Sequence, residues 1–169
     1  MIDIQGVRFM GDMLVKLYEL PELESALEEV RKHGIIIKRP IGPEKYFVVE
    51  WVREKFGNHW ASETDMTFSN KPISSFIAID EKTNKIVGFA CYDATVRGFF
   101  GPTGVDEAYR GKGVGKALLL ACLHDMLNVG YGYAIIGDPG PVEYYKKTVN
   151  AIEIEGSYPG VYKYMVREI

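Results

Sequence analysis

Arg110-Gly111-Lys112-Gly113-Val114-Gly115 is the stretch on which the reading of this chain turns. Its three alternate glycines leave the backbone free to bend and let a ligand approach the main-chain N–H groups. Helical character takes over from Gly111 or Lys112 and runs to Asn128, where Gly130 terminates it. The first N–H groups of a helix have no intrahelical partner, and the helix dipole places partial positive charge on them. Arg110, Lys112 and Lys116 add three cations at the same spot. The turn is therefore an anion site, and a diphosphate is the guest it suits.

Two familiar phosphate motifs fail on spelling. A P-loop needs Gly-Lys followed by Ser or Thr. Here Gly111-Lys112 is followed by Gly113, and Gly115-Lys116 by Ala117. A Rossmann turn needs Gly-x-Gly-x-x-Gly after the first strand of a βαβ series. Position 116 is lysine, and the preceding strand is not the first.

Outward from the turn, an extended segment at about Gly98–Val105 precedes it and a short apolar strand, Tyr133–Gly137, follows the helix. Ile73–Asp80 and Lys85–Tyr92 flank the turn Glu81-Lys82-Thr83-Asn84 and read as a hairpin. Upstream, Met13–Leu20 reads as a first strand. Pro21 then starts a helix with apolar residues at Leu23, Ala26, Leu27 and Val30, the stripe of an amphipathic helix, ended at Gly34. Ile35–Ile41 is short, extended and broken by Pro40. A second helix spans about Glu44–Phe56. The stretch from His59 to Lys71 is polar and carries no periodic signal. Downstream, Val142–Thr148 is a short helix, and Ala151–Glu155 with Val161–Arg167 forms a closing hairpin. The expectation is an α/β (α+β) fold with a mixed central sheet of about six or seven strands and four helices. No repeat or linker divides it, so residues 1–169 form a single domain, with 1–11 as a lead-in or tail.

Composition narrows the partners. The net charge of -3 argues against a nucleic-acid binder, which normally shows a basic face. The start, Met1-Ile2-Asp3-Ile4-Gln5, lacks a basic and an apolar leader region. The longest apolar run, Ala117–Leu123, is far shorter than the roughly 20 residues a membrane span needs. A cytoplasmic protein with no membrane partner is expected. Cys91 and Cys122 lie in apolar runs and read as buried thiols. His33, His59 and His124 lack metal-ligand spacing, and no metal is expected.

Arg110-Gly111-Lys112-Gly113-Val114-Gly115 also fits Arg/Gln-x-x-Gly-x-Gly/Ala, placed between a strand and a long helix. In this, and in its element order over roughly Met13–Arg167, the chain resembles the GNAT superfamily of acyl-CoA-dependent N-acyltransferases. The resemblance implies acetyl-CoA (coenzyme A) as cofactor and a sheet splayed between its fourth and fifth strands. Thr103, Gly104 and Val105 would pair with the pantetheine arm, and Arg110, Gly111, Lys112, Gly113, Val114, Gly115 and Lys116 would hold the pyrophosphate. Pro102 has no N–H, which suits an edge or a bulge. The N–H of Val105 matches the oxyanion donor, and Tyr145, in Tyr144-Tyr145-Lys146-Lys147, matches the catalytic acid.

The chain departs from the family pattern in several places. Gly137-Asp138-Pro139 stands where Asn is common, and Val149-Asn150 where Gly-Phe is common. No acid stands before the signature in the fourth strand, leaving Glu63, Asp65, Asp93 and Asp138 as substitutes for a base. The aromatics Tyr46, Phe47, Trp51, Trp60 and Phe68, with Tyr158, read either as core or as the wall of an acceptor cleft. The resemblance implies acetyl transfer to a primary amine of a small molecule, with an amino sugar among the acceptors. Protein N-terminal or lysine acetylation and a non-catalytic acyl-CoA-binding module remain as alternatives. A homodimer is implied by analogy.

Overall fold

The computed structural model describes residues 11–169, so nearly all of the expected lead-in lies outside the described residues. The elements are β1 (Asp12–Lys16), α1 (Leu23–Arg31), β2 (Ile35–Lys38), α2 (Lys45–Phe56), α3 (Asn58–Thr67), β3 (Ser75–Asp80), β4 (Lys85–Tyr92), β5 (Phe99–Val105), α4 (Val114–Asn128), β6 (Tyr133–Gly137), α5 (Val142–Val149) and β7 (Ile152–Ile154). They form a single α/β domain around one mixed seven-stranded sheet of order β2-β3-β4-β5-β6-β1-β7. Its pairs are antiparallel except β5 with β6.

Strand β4 shows how the sequence builds two layers. Successive side chains on a strand point to opposite faces. Ala90 and Tyr92 join the core under α1, α4 and α5, while Phe89 and Cys91 join the core under α2 and α3. With both faces covered, residues 87–92 are all buried, which explains why this strand reads as an apolar run rather than an alternation. Helix α4 is apolar nearly all round for the same reason. It packs on β3, β4 and β5 and is covered by α1. Among the described residues, no helix is long and apolar enough to cross a membrane. Cys91 and Cys122 are buried, free thiols.

The structure corrects four local readings. The undecided stretch after Gly57 is helix α3, a fifth helix where four were expected. Its buried face is Ala61, Thr64 and Thr67, and the threonine hydroxyls donate to the carbonyls of Trp60 and Thr64, so no apolar stripe marks it. Ile35–Lys38 is a true edge strand on β3. The first strand stops at Lys16, and Leu17–Glu19 form a 3-10 turn. Finally, Val161–Arg167 is not a strand. Gly160–Tyr162 is a 3-10 turn, and the flank of β6 is taken by β1, which pairs with β6 on one side and β7 on the other.

Candidate active site

The parallel contact between β5 and β6 is short. Phe99 pairs with Ile135 and Phe100 with Ile136, and beyond them the strands part. Tyr92 pairs with Phe100 and Ala90 with Thr103, so Gly101 and Pro102 together oppose Cys91 alone. This is a bulge, at the proline that cannot donate to the ladder. Past it, the Asp106 N–H donates to the Val87 carbonyl at 2.8 Å, in register with Phe89↔Gly104 and Gly88↔Val105. Bonded and non-bonded pairs alternate along an antiparallel ladder. Gly104 and Asp106 thus direct their main-chain groups to β4, while Thr103 and Val105 turn theirs to the gap.

A cleft of about 1330 Å³ follows this gap through the sheet. Its wall includes Thr103, Gly104 and Val105 on β5, the turn before α4, Tyr144 and Tyr145 on α5, and His59, Trp60 and Glu63 on α3. Contributions come from both helical layers, so the cleft opens to both faces.

At one end lies the glycine turn. Gly111 and Gly113 hold φ of +76° and +82°, a left-handed conformation that costs other residues about 1–2 kcal/mol. Gly113 caps α4, and the Ala117 N–H is bonded to its carbonyl at 3.0 Å. The N–H groups of Val114, Gly115 and Lys116 precede that first helical bond and have no intrahelical partner. A Cβ on Gly111 would meet no atom within 4 Å, so the loop is an open cradle rather than a packed turn. Arg110 and Lys116 line the cleft with it. Free donors, a helix N-terminus and two cations fit a pyrophosphate. Lys112 differs from its neighbours: its ammonium sits 4.9 Å over the Tyr109 ring and lines a smaller hollow with Asp80 and Tyr109.

Near the fork stands Tyr145, only 6% exposed, its ring edge-on to Phe100. Its hydroxyl has no hydrogen-bond partner among the described residues and opens onto the cleft. Burial, then the neighbouring Tyr144, raises its pKa well above the ordinary tyrosine value, so it keeps its proton at neutral pH. The helix carrying it ends at Asn150 with φ of +53°, a left-handed cap that asparagine tolerates. Asn150 thereby supplies the stop that Gly supplies in the commoner spelling.

Of the four acids considered for a base, the cleft gathers Glu63 and Asp138. Asp65 is paired with Lys45. Asp93 accepts from the Gly98 N–H and the Tyr131 hydroxyl. Sequence reasoning missed Asp12, Ser157 and Tyr162, which also line the cleft. No signal marks them, because β1 and the C-terminal turn meet only through the sheet order. Among the aromatics, Trp60 and Tyr158 reach the cleft. Trp51 packs on Phe56 and Phe89, and Tyr46 and Phe47 are exposed on α2. Lys146 is held by Glu143 and Glu153 on the surface.

A sheet that splays over a cleft, with a glycine turn at a helix N-terminus at one end and titratable side chains at the fork, fits a long phosphorylated cofactor. A family model described as Acetyltransferase (GNAT) family matches residues 45–147, more than half of the chain, and the chain belongs to that family. Acetyl-CoA is the acyl donor of the family. No curated protein matches the chain.

Several solved structures share the fold. A GCN5-related glucosamine N-acetyltransferase region in a fungal multi-domain β-N-acetylglucosaminidase superposes with a TM-score of 0.70 at 11% identity, covering 86% of this chain and 20% of that one. A GCN5-related N-acetyltransferase from Sphaerobacter thermophilus gives 0.58 at 20% identity, covering 96% and 49%. A GNAT family acetyltransferase from Brucella melitensis in complex with acetyl-CoA gives 0.50 at 17% identity, covering 75% and 92%. At these identities the likeness is one of fold. The chain spans about half the length, or less, of the first solved chains it matches.

Proposed function

We propose that this domain is an N-acetyltransferase that moves an acetyl group from acetyl-CoA to a primary amine of a small molecule, an amino sugar being the first acceptor to test. The observation that carries the reading is one continuous cleft lined at one end by the glycine turn and, at the fork, by Tyr145. The cofactor supplies an activated acyl thioester when bound. The cradle from Arg110 to Lys116 grips its pyrophosphate, and the main-chain groups of Thr103 and Val105 that face the gap pair with its pantetheine arm. The Val105 N–H donates to the oxygen on which negative charge develops. The neutral amine would attack the carbonyl carbon, an N–C bond forming as the C–S bond breaks; the Tyr145 hydroxyl would give its proton to the leaving sulfur, and the proton lost from the nitrogen would pass through water in the cleft and restore the tyrosine. Trp60 and Tyr158 offer rings against which a sugar can lie. The glucosamine-acetylating neighbour supports testing that acceptor first.

A thiol-release assay with acetyl-CoA and a panel of glucosamine, simple alkyl amines and short peptides tests the reading. Release with a small amine and none with peptides is expected. Tight binding of acetyl-CoA with no release from any amine would leave a cofactor-binding module in its place.

A further inference from the structure

Of residues 110 to 116, Lys112 alone stays off the cleft wall. It stands between Gly111 and Gly113, the two positions of the loop with left-handed φ. Its ammonium rests 4.9 Å over the Tyr109 ring, in a hollow of about 280 Å³ that also takes in Asp80 and Lys82. The main chain of the loop thus faces the cleft while this one side chain is directed elsewhere.

Tyr109 is itself held in place. Its hydroxyl donates to Asp80 Oδ2 at 2.7 Å, and its half-buried ring packs on the core under α1 and α4. The other oxygen of that carboxylate accepts from the main-chain N–H groups of Lys82 and Thr83, at 2.8 and 3.3 Å. The β3–β4 turn that carries them is fixed in turn, since the Glu81 N–H donates to the Gly34 carbonyl at 2.9 Å. On its own chain, Tyr109 lies in the 3-10 turn capped by Asp106, whose carboxylate also pairs with Lys55 at 3.0 Å. One chain of contacts therefore runs from the β3–β4 turn, through Asp80 and the Tyr109 ring, to the middle of the glycine loop.

The loop needs such a hold. Glycine has more backbone freedom to lose than any other residue, and that freedom is surrendered when main-chain N–H groups close on an anion. A loop that visits its binding conformation only part of the time binds more weakly by that fraction. An anchor on the outer side restricts the loop and leaves every inward N–H free. We propose that Asp80 and Tyr109 are positioning residues that pin Lys112 on the outer side of the glycine loop, so that the loop is already shaped for the pyrophosphate before the cofactor arrives. The inference rests on the acetyltransferase reading for its ligand, and it gives Lys112 a mechanical task in place of a phosphate contact.

Two measurements test it. NMR order parameters for the amides of residues 111 to 116 in the free protein report the loop directly. The parent should lie near the value of about 0.85 found for rigid backbone, and Tyr109→Leu should bring Lys112 and Gly113 down to about 0.6 while the sheet keeps its order. Calorimetry with coenzyme A measures the consequence. Loss of the ring should weaken binding about two- to fivefold, the size of an exposed cation–π contact. Tyr109→Phe, which keeps the ring but not its bond to Asp80, should weaken it about twofold or more. Lys112→Met should cost as much as Tyr109→Leu, and the double variant no more than either, because both cut the same link. A direct phosphate contact by Lys112 would make the two losses add and would leave the free loop ordered in Lys112→Met. A general structural role for Tyr109 would lower the melting temperature and leave the loop as ordered as in the parent. Either result would overturn the anchor. If Tyr109→Leu does not fold, Lys112→Met, which leaves the packed ring in place, carries both readouts. If the parent does not bind coenzyme A, the acetyltransferase reading falls, and the order parameters still judge the anchor.

Discussion

Glycine 115 has a different task from glycine 113. Gly113 holds a left-handed φ as the cap of α4, whereas Gly115 lies within the helix, and a Cβ there would rest 3.8 Å from Val105. Gly113→Ala should therefore cost about 1–2 kcal/mol in strain, seen as a lowered melting temperature. Gly115→Leu replaces a poor helix former by a good one and should keep or raise stability, while its side chain enters the channel between α4 and β5. Overpacking of about 1–3 kcal/mol means a Kd for acetyl-CoA weaker by about tenfold or more. Unchanged affinity by calorimetry would remove the phosphate cradle from that turn. Tyr145→Phe bears on the chemistry alone. Loss of a positioned acid should slow a single-turnover measurement by about a hundredfold and leave acetyl-CoA affinity alone, and an unchanged rate would make Tyr145 a packing residue. The glycine turn and Tyr145 stand out in the sequence because their spacing is local, along one turn and one helix, and both line the cleft. Asp12 and Tyr162 do not, since nothing adjacent in sequence marks residues that reach the cleft only when β1 lies beside β6.

Elements were legible in proportion to how apolar their buried faces are. Helices α1 and α4 and the β3–β4 hairpin announce themselves. Helix α3 does not, since it buries threonines whose hydroxyls are satisfied by its own carbonyls. The segment Val161–Arg167 misleads in the other direction. It is rich in β-formers, but propensity does not supply a partner strand, and β1 already fills the flank of β6. Helix α4, which follows the glycine turn, is anchored at its far end by Asp125, which accepts from the Tyr92 hydroxyl at 2.6 Å and from Arg39 Nη2 at 2.7 Å. Arg39 also lies over Phe76 and donates to the Ile73 carbonyl. Asp125→Ala leaves a buried hydroxyl and a partly buried guanidinium without their acceptor, at about 1–3 kcal/mol for each such group. Urea unfolding should show a loss of about 2 kcal/mol or more. Binding of acetyl-CoA should stay intact, because Asp125 is three turns from the free N–H groups. A variant as stable as the parent would show that apolar packing alone seats the helix.

Folding of the molecule as a whole couples its charges to pH, and the carboxylates do not all act with the same sign. Asp106 is held below its ordinary value by the Ala108 N–H and then by Lys55, and Asp80 by the Tyr109 hydroxyl and then the Lys82 N–H. For both, the folded value lies under the unfolded one near 4. Their contribution is therefore present above that pH and is lost as pH falls through the folded value. Asp106→Ala, which removes the cap of the turn at Glu107–Tyr109, should lower the melting temperature at pH 7 by about 2–4 °C for a loss on the order of 1 kcal/mol. The gap should narrow at pH 3. Asp12 has the opposite sign. Burial raises its carboxyl, the Asp138 N–H opposes this, and the charge of Asp138 adds to it. Its ionised form thus opposes folding above the unfolded value, and the opposition disappears as pH falls through the raised folded value. Asp12→Asn should melt higher than the parent at pH 7 and alike at pH 3. A higher melting temperature for Asp12→Asn at neutral pH follows from one buried charge. If the variant instead melts lower at pH 7, the carboxylate belongs to the framework that joins β1 to the C-terminal turn, where the Asp12 main chain already meets Ser157.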